Sequence, residues 1–310
     1  MAVYNNIGTE LNDVFSGAGV SLDNAYDSAG VLIHTKGTPP TPPEPPTPVY
    51  PVGLTLLNSS YPGVNSPQGM ATYGDYIFQF FSNVNRMYVY RKDDYSLVNF
   101  MSCTMIGHGN TLQFGKVVQA NGFPLLYCSG QDAQEEYVLS IDTSSLSLNN
   151  TISLPSYTII GHHNNNVIDF DNGILYTEGI TSESVYDGNA TFIFCALDLN
   201  NPSNVLDTWT LGYLGVVQGV VWDGTHIVVN CNTYNGRYVK FYFINPLTHN
   251  IDKVEQFDKE YQSPLDSEYQ GFSYEGGYYL VSKWVYKDYP NERSLYYEFY
   301  AYVPDWDDGE

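Results

Sequence analysis

The chain has 310 residues, 34 acidic and 12 basic, for a formal net charge of −22; hydrophobic residues make up 43%, charged residues 15%, and 29 residues are tyrosine. That length allows one large core or two domains. The acidic balance argues against nucleic acid or anionic lipid as a partner, since both bind through Lys and Arg that neutralise phosphates, so the excess acid reads as a solubility feature.

No apolar run approaches the ~20 residues that span a bilayer, so no membrane partner is expected. Met1-Ala2-Val3-Tyr4-Asn5-Asn6 has no basic stretch followed by an apolar one. No secretory leader is expected, and synthesis is placed in a cytoplasm. Residues 1–36 form a polar head with weak periodicity, in which 14–20 and 25–34 are candidates for a short helix or a hairpin. Then comes Thr38-Pro39-Pro40-Thr41-Pro42-Pro43-Glu44-Pro45-Pro46-Thr47-Pro48. Proline fixes φ and removes a donor, so residues 37–49 are read as an extended polyproline spacer; a ligand for a proline-recognising domain is the alternative. The layout is an N-terminal attachment segment, a stiff linker and a body over 50–310.

The body repeats itself. Gln68-Gly69-Met70, Gln218-Gly219-Val220 and Gln270-Gly271-Phe272 each lead into an apolar segment and a tight turn, with His108-Gly109-Asn110 and His163-Asn164-Asn165 as cousins between them. The starts at 68, 108, 163, 218 and 270 are 40, 55, 55 and 52 residues apart. A period of about 40–55 residues built from short strands points to an all-β, five-bladed β-propeller.

Within each repeat a first strand runs into a turn such as Tyr73-Gly74-Asp75, Trp222-Asp223-Gly224 or Tyr274-Glu275-Gly276, tight-turn signals of the Gly/Asp type. Second strands are expected at 76–81, 125–128, 174–177, 226–230 and 278–282. Third strands are expected at 87–91, 137–141, 192–197 and 240–244, and more polar fourth strands at 97–103, 148–154, 205–211 and 251–257. The fifth repeat ends after its third strand, 295–303. Residues 52–57, which precede the first Gln-Gly, are therefore assigned as its missing outer strand, closing the ring and removing two exposed edges.

First strands of a propeller line its axis, so the repeat openings are expected to converge on one mouth of a narrow central shaft. Gln68, Gln218 and Gln270 offer amides and His108 and His163 imidazoles, with Asn110 and Asn165 two residues further on. The glycine after each Gln would let backbones approach in the crowded centre. With Trp222 and Tyr274 as stacking surfaces, and Tyr73 and Phe272 nearby, this uncharged polar and aromatic set suits a saccharide. The same polar groups would otherwise satisfy one another and buried water.

Catalytic signals are thin. Asp169, Asp223, Glu178 and Glu275 are the candidate carboxylates for a glycosidase, but most fall at turn positions that favour acids for backbone reasons. Two histidines at 108 and 163, even with His162, lack an acidic third ligand. No nucleophile elbow, Walker loop or dinucleotide fingerprint occurs. No catalytic residue, metal or cofactor is therefore expected. Cys103, Cys128, Cys195 and Cys231 fall in separate repeats and are read as buried free thiols.

The openings His108-Gly109-Asn110-Thr111 and His163-Asn164-Asn165-Asn166 are similar to the His-x-Asn-Asp blade opening of a known family, and the Gln-Gly starts at 68, 218 and 270 match its other blades. Over roughly 50–304 the chain resembles the five-bladed propeller of tail receptor-binding proteins of phages that infect Gram-positive bacteria, a family also linked to teichoic-acid biosynthesis. The Asp that follows Asn in that family is Thr111 and Asn166 here, so no role that needs a carboxylate there carries over. The resemblance implies a virion tail protein that recognises a wall teichoic acid or surface polysaccharide, attaches to tail or baseplate proteins through residues 1–36, and forms a homo-oligomer, usually a trimer. A glycan-cleaving enzyme on the same fold and a structural decoration protein of the particle are the alternatives.

Overall fold

The computed structural model describes residues 50–60, 67–119, 122–129, 136–142, 145–153, 161–184, 187–233, 238–258, 267–287 and 294–306, with six short strands between 3 and 35. The chain divides into two units, Met1–Val49 and Tyr50–Glu310.

In the first unit, Val3–Tyr4 pairs with Glu10–Leu11, Val14–Phe15 with Ser21–Leu22, and Asn24–Tyr26 with Leu32–Thr35, all antiparallel. Of the two options for 14–20 and 25–34, the hairpin is the one adopted. The polyproline stretch lies outside the described residues.

The second unit is a five-bladed β-propeller, with no helix among the described residues. Blade 1 is Pro67–Tyr73, Tyr76–Phe81, Arg86–Arg91 and Leu97–Ser102; blade 2 is Leu112–Val118, Pro124–Ser129, Glu136–Asp142 and Ser147–Ser153; blade 3 is His162–Asp169, Ile174–Ile180, Phe192–Asp198 and Asn201–Leu211. Blade 4 is Val216–Trp222, Ile227–Asn232, Tyr238–Asn245 and Asn250–Asp258. Blade 5 is Ser267–Glu275, Tyr278–Lys287 and Ser294–Val303, completed by Gly53–Ser60 from the start of the unit. That last strand pairs antiparallel with Ser294–Val303, from Gly53 opposite Val303 to Ser60 opposite Tyr297.

Local chemistry explains the hairpins. In blade 5 Glu275 pairs with Tyr278 across a two-residue turn, with Gly276 and Gly277 at φ of 55° and 96°. Two positive φ values are what a type I′ turn requires, and its twist matches that of the strands. Outer strands have one wet face: Asn250–Asp258 alternates between exposed and half-buried at every residue, the period-2 pattern of a pleated edge.

The hydrophobic core lies between the blades. Phe78, Phe80, Leu112 and Leu126 join blades 1 and 2. Phe194, Trp209, Val220 and Ile227 join blades 3 and 4, and Phe241, Phe243, Phe272, Tyr279 and Tyr302 join blades 4 and 5. Met70, Phe81, Leu280 and Phe299 close the circle between blades 5 and 1. The four cysteines are buried and free, and burial pushes the Cys103 thiol up to about 12.

The repeated motif has a specific backbone form. Register shifts fall between Pro67 and Met70, His162 and Asn165, Val217 and Gly219, and Tyr269 and Phe272. In four blades, therefore, the Gln/His opening is a β-bulge in the innermost strand, which re-aims the chain locally. Blade 2 differs: its first strand begins at Leu112, and His108 is an exposed residue of the preceding turn.

Candidate functional site

The glycines of the openings act through space. None of Gly69, Gly219 and Gly271 needs left-handed backbone. A Cβ on Gly69 would lie 2.8 Å from the carbonyl oxygen of Gly109 in blade 2, and one on Gly219 3.1 Å from that of Gln270 in blade 5. On Gly271 it would lie 2.5 Å from Ser282 Oγ and 2.6 Å from Gln79 Oε1 in blade 1. Without side chains, neighbouring first strands close on one another: the Gly69 amide donates to the Gly109 carbonyl at 2.8 Å.

Around this narrow centre lies a buried polar layer. Gln68, Gln218 and Gln270 are buried, as is Asn165. Each second strand adds a polar side chain within an apolar run: Gln79, Ser129, Glu178, Asn230 and Ser282, all buried. Gln79 Nε2 donates to the carbonyls of Gln68 (2.7 Å) and Gly69 (3.2 Å), Asn230 Nδ2 donates to the Tyr269 carbonyl at 3.4 Å, and the Gly271 amide donates to Ser282 Oγ at 2.9 Å. Gln270 Nε2 donates to Glu268. The side-chain oxygens of Gln68, Gln79, Thr111, Asn165, Asn230 and Gln270 receive no donor from the described residues, an acceptor-rich interior. Apart from Glu178, named from sequence as a candidate carboxylate, these second-strand residues were missed, although one polar residue in each apolar strand was a visible signal.

Glu178 stands out in this layer. Burial pushes its carboxyl up to about 8, opposed by a hydrogen bond from Asn165 Nδ2 at 2.8 Å. The other three candidate carboxylates hold the framework. Asp169 accepts from the Asp171 and Asn172 amides (3.0 and 3.2 Å), and Glu275 pairs with Lys92 and accepts from Tyr278 OH at 3.4 Å. Asp223 accepts from the Thr225 amide (2.8 Å), the His226 amide (2.6 Å) and Tyr279 OH (2.8 Å). Burial works to raise Asp223, but the hydrogen bonds from His226, Tyr279 and Thr225 overcome it and hold the carboxyl below its ordinary value.

An open cavity lies further along the strands. A space of about 290 Å³ is lined by the later part of four first strands and the turns after them, and by the start of blade 2's first strand: Ala71 and Thr72, Leu112 to Phe114 with Lys116, Val167 to Asp171 except Asp169, Val220 to Gly224, and Ser273 with Tyr274. All five blades reach it. Its aromatic walls are Phe114, Phe170, Trp222 and Tyr274, each backed by a second ring. Trp222 lies 5.5 Å from Tyr176, Tyr274 5.1 Å from Tyr279, Phe114 5.1 Å from Phe78, and Phe170 5.0 Å from Tyr127, centroid to centroid. Gln113 is clamped between blades, accepting from the Ile168 amide (2.8 Å) and donating to its carbonyl (2.7 Å). Thr72 and Ser273 hydroxyls meet at 3.3 Å across the boundary of blades 1 and 5.

The expected site residues are therefore not gathered in one place. Trp222 and Tyr274 line the cavity together. Gln68, Gln218 and Gln270 sit nearer the strand beginnings, in the buried layer; at ~3.3 Å per residue Gln218 lies about 13 Å along its strand from Trp222. Asn165 is in that layer, bonded to Glu178. Asn110 is half-buried ahead of strand Leu112–Val118 rather than on it. His108 is exposed, because blade 2 begins after a turn instead of at its opening motif. His163 lies on strand His162–Asp169, and its side chain is outside what the structure describes. Among the described residues no group of three His, Cys, Asp or Glu side chains is gathered for a metal, and no helix is long and apolar enough to cross a membrane.

No family model matches the chain, and no curated protein matches it in sequence. Solved structures share the fold. The glutaminyl cyclase of Myxococcus xanthus is similar at 10% identity with a TM-score of 0.50, over 81% of this chain and 97% of that one. The PQQ-bound aldose sugar dehydrogenase of Streptomyces coelicolor is similar at 9% identity and TM-score 0.48, over 79% and 98%. The Dos1 propeller is similar at 10% identity and TM-score 0.35, over 71% of this chain and 55% of that one, so the chain spans little more than half of the latter. At such identities the likeness concerns the propeller fold alone.

Proposed function

We propose that the protein is a non-enzymatic phage tail receptor-binding protein that holds a host cell-surface glycan, a wall teichoic acid or polysaccharide, at the mouth of its propeller shaft. The observation that carries this is the cavity to which every blade contributes, with Trp222 and Tyr274 as ring-backed stacking surfaces and Gln113, Thr72 and Ser273 as pinned polar groups. Sugar C–H faces pack on rigid aromatic rings while hydroxyls pair with amides and hydroxyls. The buried Gln68, Gln218 and Gln270 shape the shaft behind the cavity and govern how deep a ligand reaches. In this reading residues 1–36 attach to tail or baseplate proteins, the chain is made in the host cytoplasm and carried on the virion, and a trimer multiplies weak sugar sites by avidity.

The experiment is incubation with purified host wall polymer. The proposal expects retention of the protein with no shortened product, and loss of retention in Trp222→Ala and Tyr274→Ala. A second reading, glycan cleavage, is favoured by Glu178, whose raised value leaves it protonated at neutral pH as a general acid must be. Release of oligosaccharides that stops in Glu178→Gln would establish that reading and overturn the first.

A further inference from the structure

We propose that the cavity itself takes an ammonium group carried by a saccharide, on an amino sugar or as a substituent, and not a phosphate, so that it reads an amine-bearing polysaccharide or the amine-bearing units of a teichoic acid rather than the phosphodiester links. The inference rests on the glycan reading and adds the chemical class of the group held at the centre of the site.

The charges on the wall point one way. The cavity is lined by Lys116, Asp171 and Asp223. The Lys116 ammonium is engaged with Asp171, which leaves the Asp223 carboxylate as the further negative group on the wall. Its Tyr279 and backbone partners are neutral donors that fix the carboxylate without cancelling it. His226 stands between Asp223 (Nδ1 to Oδ2, 3.5 Å) and Asp252 (Nε2 to Oδ2, 3.2 Å), so even a protonated imidazole serves two carboxylates and leaves negative charge in excess. The net charge of −22 adds a long-range field of the same sign.

The walls agree with the charge. Phe114, Phe170, Trp222 and Tyr274 surround the space, and aromatic faces attract cations through their quadrupoles, most strongly when desolvated. Each ring is held by a second one, so the enclosure is formed before any ligand arrives, which lowers the ordering cost of binding. A volume of about 290 Å³ admits a single sugar unit or one substituent. A phosphate would meet Asp223 and four electron-rich faces, while the one lysine on the wall is already committed to Asp171.

The test titrates the full chain by calorimetry, with tryptophan fluorescence alongside, against glucosamine trisaccharide, its N-acetylated counterpart, choline chloride and glycerol phosphate. Acetylation removes the charge and keeps the sugar, and choline keeps an ammonium and removes the sugar. The expected result is at least about tenfold weaker binding after N-acetylation, roughly 1.4 kcal/mol, competition by choline, and no binding of glycerol phosphate. Asp171→Asn, at an exposed side chain that can change without unfolding the blade, releases the Lys116 ammonium beside the cavity and should weaken the free-amine ligand several-fold more than the acetylated one. Equal affinity for the two trisaccharides overturns the ammonium assignment and leaves the glycan reading standing. Binding of choline with neither saccharide bound supports the assignment and removes the glycan reading. Preference for glycerol phosphate, or no binding by any of the four, overturns the assignment.

Discussion

Glu178 is buried among neutral polar groups with a hydrogen bond from Asn165, and its carboxyl titrates near 8 instead of near the ordinary 4.5. The folded state thus keeps a proton that the unfolded chain has released at any pH between those values. Stability is predicted to fall as pH rises from about 4.5 to about 8 and to level off above. Glu178→Gln keeps the acceptor for Asn165 and removes the titration, so its melting temperature should match or exceed the wild type at pH 8.5 and lose that advantage at pH 5; thermal melts at the two pH values check this. Gly271 is the steric counterpart. A methyl there would press on Ser282 Oγ and Gln79 Oε1 at 2.5 and 2.6 Å, so Gly271→Ala should cost about 1–3 kcal/mol, whereas Gly188→Ala, with nothing within 4 Å, should stay within about 0.5 kcal/mol; urea denaturation distinguishes them. The glycine role was legible in sequence because Gly follows Gln in three openings. Phe114, Phe170 and Asp171 were not, because which strand end stays open depends on how five strands converge.

Among the elements, the closing strand Gly53–Ser60 was readable as the partner that a three-stranded final repeat lacked, and its pairing with Ser294–Val303 follows that logic. Hairpin positions were also legible, since Gly and Asp turns punctuate apolar runs. The bulges were not, because a register shift leaves no composition signal beyond the Gln-Gly pair itself. Blade 2 misled for a related reason: its His-Gly-Asn matches the other openings in wording, while its strand begins four residues after His108. A chain that starts after residue 60 would leave the Ser294–Val303 edge unpaired, an invitation to edge-to-edge association. Relative to a chain starting at residue 50, it should aggregate on purification or melt about 10 °C lower; size exclusion and calorimetry read the two outcomes.

Over the whole molecule, ring closure places one end of every first strand at a common cavity, and interblade rings make its walls rigid. The propeller itself was readable from a repeat of 40 to 55 residues, whereas the cavity that holds Trp222 and Tyr274 was not distinguishable in sequence from the Gln/His beginnings, because both lie along the same first strands. An acidic body with a pre-formed aromatic cavity suits a surface glycan met from outside a cell. The most direct measurement is adsorption of the purified full chain to host cells, comparing wild type, Trp222→Ala and the surface control Leu247→Ala, each checked for an unchanged melting profile. The account predicts that Trp222→Ala lowers adsorption at least about tenfold, on the scale of a lost stacking contact, while Leu247→Ala adsorbs like wild type. Undiminished adsorption of a folded Trp222→Ala protein would contradict it.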